Sequence, residues 1–315
     1  MTKRCLLALL LSILMASTAD SSTAAAPTKS KKLVVLDAGH GGHDRGASQD
    51  GVFESEIALK ITKLVGQNLE SAGHKVLYTR TKDEWLSLEK RAAIANQARG
   101  DLFVSIHLNS SEDPRAKGKE FYFQNQVPVD EEALFLANRE NAGPENPTDG
   151  QHDQASHVSK HEKASEGTPD PTQTEADRTQ ASGLRQAEAA RIPEITFDDP
   201  RVRRDLKNIL EDLDRSARVR ASSELAVELF EEWKATEPAV RSSSRAIRQA
   251  PFFLVSHVAM PSVLVEVGFL SHKREGEKLN QAAYQERLAS AISEGIRKNL
   301  AKNGGKKSED QAALP

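Results

Sequence analysis

The 315-residue sequence contains a single cysteine, Cys5, and its aromatic residues amount to only 5% of the chain. With one cysteine, the chain can form neither an internal disulfide framework nor a cluster of thiolate metal ligands. The net charge is −3, and no basic stripe or set of arginines interleaved with aromatic residues is present. The composition therefore gives no support to nucleic-acid binding. A hydrophobic content of 38% is low, so we expect part of the chain to lie outside any core.

The first 20 residues have the pattern of a secretory signal peptide, and residues 21–30 follow as a linker. Lys3 and Arg4 precede an apolar stretch over residues 6–16, after which small residues occur. This stretch is shorter than a transmembrane helix requires, and no other segment is longer, so we expect no transmembrane segment in the mature chain. Removal of the signal peptide would also remove Cys5. Any zinc site must then be built from His, Asp and Glu.

Strand and helix patterns alternate along the first folded block, residues 31–124. Apolar residues at a helical period, ending near Gly73, predict a first long helix. The strand and helix patterns in chain order are strand 33–36, helix 57–69, strand 74–80, helix 87–99, strand 101–107 and strand 118–123; after the middle of the chain come strands 252–255 and 262–267 and helix 281–300. This alternation predicts an α/β fold, a mostly parallel twisted sheet flanked by helices.

The middle of the chain interrupts this domain. Residues 141–190 contain almost no strong aliphatics and no Phe, Tyr or Trp. Such a segment cannot bury enough apolar surface to offset the ordering entropy, so we expect it to be disordered. Helices are expected on either side, at 131–140 and 201–234. We therefore expect an insertion at 125–240, a second part of the domain at 241–301 and a flexible tail at 302–315.

Three predicted strands each lead into a residue suited to a metal site. Leu33–Leu36 runs into a turn that contains His40, the strand at 101–107 ends on His107, and the strand at 262–267 contains Glu266. The carboxyl ends of neighbouring parallel strands meet at one edge of a sheet, where sites in such folds lie. Glu54, just before the first helix, would complete a set of three zinc ligands. Glu266 would then act as the general base.

Each of these residues also has an ordinary structural interpretation. A histidine in a turn is usually a surface or hydrogen-bonded residue, and a glutamate before a helix usually interacts with the helix dipole. Glu266 is harder to explain in this way. It follows three apolar residues in a predicted buried strand, where an unpaired carboxylate would cost several kcal/mol.

Three long motifs resemble those of the zinc-dependent N-acetylmuramoyl-L-alanine amidases, the amidase_3 family of cell-wall hydrolases. They are Leu36–Gly42 with Asp44 and Gly46-Ala47 following, Ser105–Ser110, and Met260–Ser271, in the order in which that family has them. The resemblance covers roughly residues 31–124 and 200–300. It implies that one zinc ion is held by His40, Glu54 and His107, with Glu266 as the catalytic carboxylate. The implied reaction is hydrolysis of the amide between N-acetylmuramic acid and L-alanine of peptidoglycan.

The insertion has a counterpart in cell-division members of this family. Those members carry a helical insertion that covers the zinc site until an activator with a LytM-type domain displaces it, and residues 137–142 and 209–213 resemble parts of it. By this resemblance Glu140 would occupy the fourth zinc position in a closed state; alternatively, its helix only packs on the core. The same resemblance implies a periplasmic protein that acts in cell separation or wall remodelling.

Two other functions are considered alongside this one. The chain would be a peptidoglycan-binding pseudoenzyme if its zinc site were permanently blocked. It would be a zinc peptidase if it cut within the stem peptide, because the same ligands serve either bond.

Overall fold

The computed structural model describes residues 31–124, 131–142, 200–237 and 246–312. The predicted signal peptide, the linker and nearly all of segment 141–190 lie outside the described residues. None of the helices in the described part of the chain is both long and apolar enough to cross a membrane.

A mixed, mostly parallel sheet of six strands forms the centre of the fold, as predicted. Its strands are β1 (Leu33–Ala38), β4 (Lys75–Tyr78), β5 (Leu102–Asn109), β6 (Glu120–Gln124), β7 (Ile247–Ala250) and β8 (Ser262–Phe269). Their order across the sheet is β4-β1-β5-β8-β6-β7, and only the pair β6–β8 is antiparallel. The short strands β2 (Ser48–Gln49) and β3 (Val52–Phe53) pair separately. Strands β5 and β8 are buried along their whole length, as expected for inner strands covered on both faces.

Seven helices cover the two faces of the sheet in the described residues. They are α1 (Glu54–Ser71), α2 (Leu88–Ala98), α3 (Glu131–Ala142), α4 (Pro200–Thr236), α5 (Phe253–His257), α6 (Lys273–Leu279) and α7 (Ala282–Ala312). Helix α1 packs through Ile57, Ile61, Val65 and Leu69, which recur at helical spacing and are at most 1% exposed. These side chains share one core with α4 and α7. Helices α2, α3 and α5 pack on the opposite face.

Helix α4 has a buried half and an exposed half. Leu225, Leu229 and Trp233 lie in the same core as α1 and α7. In contrast, Leu206 and Leu213 in the N-terminal half are 44% and 60% exposed. The C-terminal half of α4, within the segment predicted as the insertion, therefore packs in the helix layer of the domain.

The structure corrects one predicted strand and extends the last helix. Residues 252–255 form no strand: the chain forms α5 from Phe253, two residues after Pro251, and buries Leu254 and Val255 against the sheet. The edge strand is β7, just upstream. A four-residue apolar run does not distinguish a buried strand from a buried helical turn, which explains the error. Helix α7 continues to Ala312, where the composition predicted a flexible tail from residue 302.

Candidate metal centre

The four predicted site residues meet at the carboxyl edge of the sheet. His40 follows β1, His107 lies near the end of β5, and Glu266 on β8 is paired in register with His107. Glu54 is the first residue of α1, which begins at this edge. The fold therefore brings together residues that are up to 226 positions apart in the sequence.

Glu54 lies between the two histidines. Its Oε1 is 3.2 Å from His40 Nε2 and 3.1 Å from His107 Nδ1, and the two imidazole rings meet edge-on with centroids 5.0 Å apart. The backbone N–H groups of Ala47 and Leu108 donate to the Glu54 carboxylate at 2.8 and 2.9 Å. These bonds fix the carboxylate in position, so it does not depend on the histidines for its orientation.

Helix α3 adds a third carboxylate to the same point. Glu140 Oε2 lies 3.2 Å from His40 Nε2 and 3.4 Å from His107 Nδ1. The ligand atoms of His40, His107 and Glu140 all lie within 4.8 Å of one another, close enough to hold one metal ion. The other Glu140 oxygen accepts hydrogen bonds from Arg139, whose guanidinium also donates to the carbonyl of Ser110 at 3.0 Å.

The hydrogen-bonding pattern at this point fits a bound cation. Among the described residues, four buried atoms here form no hydrogen bond of good geometry: His40 Nε2 and Glu140 Oε2, which face each other at 3.2 Å, and both carboxylate oxygens of Glu266. Asp44 is 2.9 Å from His40 Nδ1, and this contact directs Nε2 toward the centre. Lone pairs that converge without donors are costly when buried, and a divalent cation would satisfy them. A set of imidazoles and carboxylates suits zinc.

The charges of the site explain its protonation without a cation. Burial lowers the pKa of both imidazoles, but nearby carboxylates, mainly Glu54 and Glu140, outweigh it: the pKa of His40 is raised well above its usual range and that of His107 to about 10. Burial raises the pKa of Glu54, yet the two histidines bring it down to about 2. Protons on the imidazoles therefore balance the carboxylates where a metal ion would do so.

Glu266 is the one carboxylate at the centre that is driven toward its neutral form. Burial raises its pKa well above the ordinary value, His107 opposes this, and the charges of Glu140 and Glu54 add to the rise. Its side chain is fully buried. A carboxyl group in this environment can take up a proton and release it again, which is the property that a general base and acid requires.

Two glycines permit the close packing of the site. A Cβ atom at Gly39 would lie 2.5 Å from His107 Cε1, and one at Gly46 would lie 2.5 Å from Glu54 Oε2 and 2.6 Å from His40 Cδ2. Gly46 also has a positive φ of 64°. Any side chain at either position would displace a candidate ligand.

Two buried arginines support the loop that carries His40, and sequence reasoning gave them no role. Arg80 donates to the carbonyls of Ala38 and Gly39 at 2.9 and 2.7 Å. Arg91 donates to the carbonyls of Ala38 and His40, both at 2.6 Å. It also forms an ion pair with the buried Asp37 at 2.9 Å. Only the folded chain shows that both arginines bind backbone carbonyls.

A cleft of about 580 Å³ opens beside the centre, within the size range of ligand sites. His40, His107, Arg139 and Glu140 line its inner end, and Trp85 lies among its other lining residues. The centre is therefore reached from this cleft, and α3 contributes part of the wall.

Comparison with known proteins gives consistent similarities. The family described as N-acetylmuramoyl-L-alanine amidase (Amidase_3) matches residues 34–298. N-acetylmuramoyl-L-alanine amidase AmiA of Escherichia coli K12 is 27% identical over 286 residues, which cover 90% of this chain and 81% of that protein. An N-acetylmuramoyl-L-alanine amidase structure from Clostridium difficile 630 aligns with a TM-score of 0.53 at 22% identity, over 86% of this chain and 97% of that one. AmiC2 of Nostoc punctiforme aligns with a TM-score of 0.51 at 22% identity, over 87% and 99%.

Proposed function

The chain belongs to the N-acetylmuramoyl-L-alanine amidase family and is an amidase of peptidoglycan, and we propose that it requires zinc. One zinc ion would be held by His40, Glu54 and His107. The observation that carries this proposal is the approach of both imidazoles to one carboxylate oxygen: Glu54 Oε1 lies 3.2 Å from His40 Nε2 and 3.1 Å from His107 Nδ1. Three protein ligands leave a further position for water or substrate.

The residues around the ion have distinct roles in the hydrolysis. When bound, zinc supplies Lewis acidity toward the carbonyl of the lactyl group and favours deprotonation of water. Glu266 accepts the proton of the attacking water and delivers it to the nitrogen of L-alanine as the carbon–nitrogen bond breaks. Asp44 orients His40 from behind, and the backbone donors of Ala47 and Leu108 hold Glu54. The products are a lactyl carboxylate on the glycan and a free stem peptide.

The described conformation is, in this proposal, an autoinhibited one. Glu140 approaches the same two imidazole nitrogens as Glu54 and would fill the remaining ligand position. Asn141 fastens the end of α3: its side chain donates to the carbonyl of Pro251 at 2.9 Å and accepts from the N–H of Phe253 at 2.7 Å. Displacement of α3 would expose the centre, which is the function we assign to a LytM-domain activator.

The setting of the enzyme is also part of the proposal. The charged, apolar and small-residue pattern of residues 1–20 supports export. A helix that blocks the centre supports a regulated enzyme of the periplasm, with a role in cell separation or wall remodelling. Peptidoglycan is the only substrate class that this proposal requires.

Mass spectrometry of purified peptidoglycan, digested with the zinc-loaded mature protein, tests the proposal. Intact protein is compared with Glu140→Ala, Glu266→Gln and the matched control Glu131→Gln, which changes an exposed carboxylate of the same helix. We expect free stem peptides and peptide-free glycan, a higher rate with Glu140→Ala, an unchanged rate with the control and none with Glu266→Gln. Cleavage within the stem would instead establish a peptidase, and a lack of product from every variant would establish a pseudoenzyme.

A further inference from the structure

A second acidic residue of α3 also meets a group of the catalytic domain. Arg248 on β7 donates from Nη2 to Glu132 Oε2 at 2.7 Å. The Arg248 side chain is only 4% exposed, whereas that of Glu132 is 62% exposed. A buried cation is thus covered by a carboxylate from the helix that, in the proposed function, leaves when the enzyme opens.

Arg248 lies on the same face of the sheet as the metal centre. In the strand register Glu120 is opposite Glu266, and Tyr122, two residues further along β6, is opposite both Leu264 and Arg248. The side-chain contacts agree with this register: the Arg248 guanidinium lies 3.3 Å from the Glu120 carboxylate and 3.2 Å from the Tyr122 hydroxyl. Strands β8 and β7 are two positions apart in the sheet, and the register offsets Arg248 from Glu266 by two residues along the strands, so their backbones are separated by ~12 Å.

Glu132 and Glu140 of α3 reproduce this separation. Glu132 and Glu140 are eight positions apart in one helix, which corresponds to about 12 Å along its axis. One carboxylate lies at the metal centre and the other at Arg248. An extended peptide spans a similar distance in about three residues.

A cavity of about 670 Å³ borders Arg248, Glu132 and Glu120. Its exposed rim carries the cations Lys117, Arg274 and Lys278. A fourth cation, Lys119, lies deeper, where Glu237 and Glu275 contact its ammonium group at 3.2 and 3.3 Å and remain in place when α3 moves. Arg248 differs because one of its carboxylate partners is on α3.

We propose that Arg248 is a subsite for a free carboxylate of the stem peptide, at the second or third residue. In the closed state, two carboxylates of α3 occupy the positions that the substrate takes at the two ends of its site. Glu140 takes the place of the scissile amide and Glu132 the place of the substrate carboxylate. This inference rests on the closed state described under the proposed function. It identifies the preferred substrate as an anionic stem peptide, since a carboxamide would bring no negative charge to Arg248 in place of the Glu132 carboxylate.

Two variants separate substrate binding from mere attachment of α3. Glu132→Gln and Arg248→Gln both remove the ion pair between α3 and β7, so both should raise kcat at saturating substrate to a similar degree. Only Arg248→Gln removes the subsite. Substrates are N-acetylmuramoyl peptides that differ only in a free α-carboxylate or a carboxamide at the second or third residue.

With Arg248→Gln we expect KM for the carboxylate substrate to rise about ten- to hundredfold, the range for loss of a hydrogen bond to a charged group. Arg248→Gln should also no longer prefer the carboxylate substrate over the carboxamide substrate. Glu132→Gln should keep this preference, and Arg248→Lys should retain part of it. Equal KM values and equal preference in Glu132→Gln and Arg248→Gln would overturn the proposal.

A binding measurement distinguishes failure of this inference from failure of the proposed function. The free stem peptide is titrated calorimetrically into Glu132→Gln and into the double variant with Arg248→Gln, with thermal unfolding as the check on folding. We expect the double variant to bind about ten- to hundredfold more weakly. Equal binding refutes the subsite even if zinc-dependent hydrolysis is confirmed, and weaker binding supports it even if Glu140 proves not to inhibit.

Discussion

Zinc binding to the metal-free protein should release about two protons at pH 7 and weaken steeply as the pH falls. The carboxylates raise the pKa of His107 to about 10 and that of His40 well above its usual range, so both imidazoles are protonated at neutral pH. Zinc binds only neutral imidazole and must displace both protons. By linkage, the association constant should rise with pH around neutrality, by about a hundredfold per pH unit as long as both imidazoles are protonated in the metal-free protein, because two protons then leave at each binding event.

Calorimetry in two buffers with different ionisation enthalpies measures the proton count directly. Glu266→Gln is the better protein for this experiment, because a proton released by the Glu266 carboxyl group can then no longer contribute. Glu140→Ala removes one of the carboxylates that raise the imidazole pKa values, so it should release fewer protons at pH 8. A release of less than half a proton at pH 7 would show that the imidazoles are already neutral, and it would refute the electrostatic account of the site.

Further predictions concern stability and the shape of the site. Gly46→Ala should lower zinc affinity by at least tenfold in a chelator competition, because the added Cβ atom would lie under 3 Å from Glu54 and His40. Gly51→Ala is the control for backbone strain, since Gly51 also has a positive φ but no atom lies within 4 Å of an added Cβ. Leu225→Ala should lower the free energy of unfolding by about 2–5 kcal/mol. Leu210 on the same helix is 53% exposed, so Leu210→Ala should change the free energy of unfolding by less than about 0.5 kcal/mol. Equal losses in urea unfolding would contradict the division of α4 into a buried and an exposed half. Asp37→Asn should cost about 3–5 kcal/mol because it leaves Arg91 buried without its carboxylate. Burial alone raises the pKa of Asp37, but Arg91, Thr79 and Ser105 lower it below its ordinary value. The stabilisation by ionised Asp37 is therefore complete above about pH 4 and disappears as the pH falls through the folded-state pKa. In urea unfolding from pH 6 to pH 2, Asp37→Asn should lack this dependence of the free energy of unfolding on pH.

The sequence contained enough to predict the sheet and the residues that converge at its edge. Buried strands such as β5 and β8 are continuous apolar runs, and a glutamate inside one of them requires a partner, so Glu266 was identifiable from the pattern alone. Glu54 was weaker, because its role depends on where α1 begins relative to β1. Its position before the first helix made it a candidate third ligand, and the family resemblance supported that choice.

Other features could not be predicted, because they depend on backbone groups and on packing. Arg80 and Arg91 bind carbonyl oxygens, which every residue has and no pattern marks. The run at 252–255 is apolar in either a strand or a short helix, and the choice was made by the packing of Leu254 and Val255. The ion pair of Glu132 with Arg248 joins two ordinary charged residues 116 positions apart, and only the three-dimensional structure shows that it lies on the face of the metal centre.

The position of β8 has a consequence for when the protein can fold. This strand lies between β5 and β6 in the sheet, yet it is the last strand along the chain. A nascent chain that ends before residue 262 lacks the strand that joins the two halves of the sheet, and it also lacks Glu266 and the core face of α7. The amidase therefore cannot reach its native state during most of its synthesis. If the chain is exported as proposed, a polypeptide that completes its sheet only in about the final sixth of its synthesis suits a secretion channel that accepts unfolded chains, and the strand order would then delay the formation of an active wall hydrolase inside the cell.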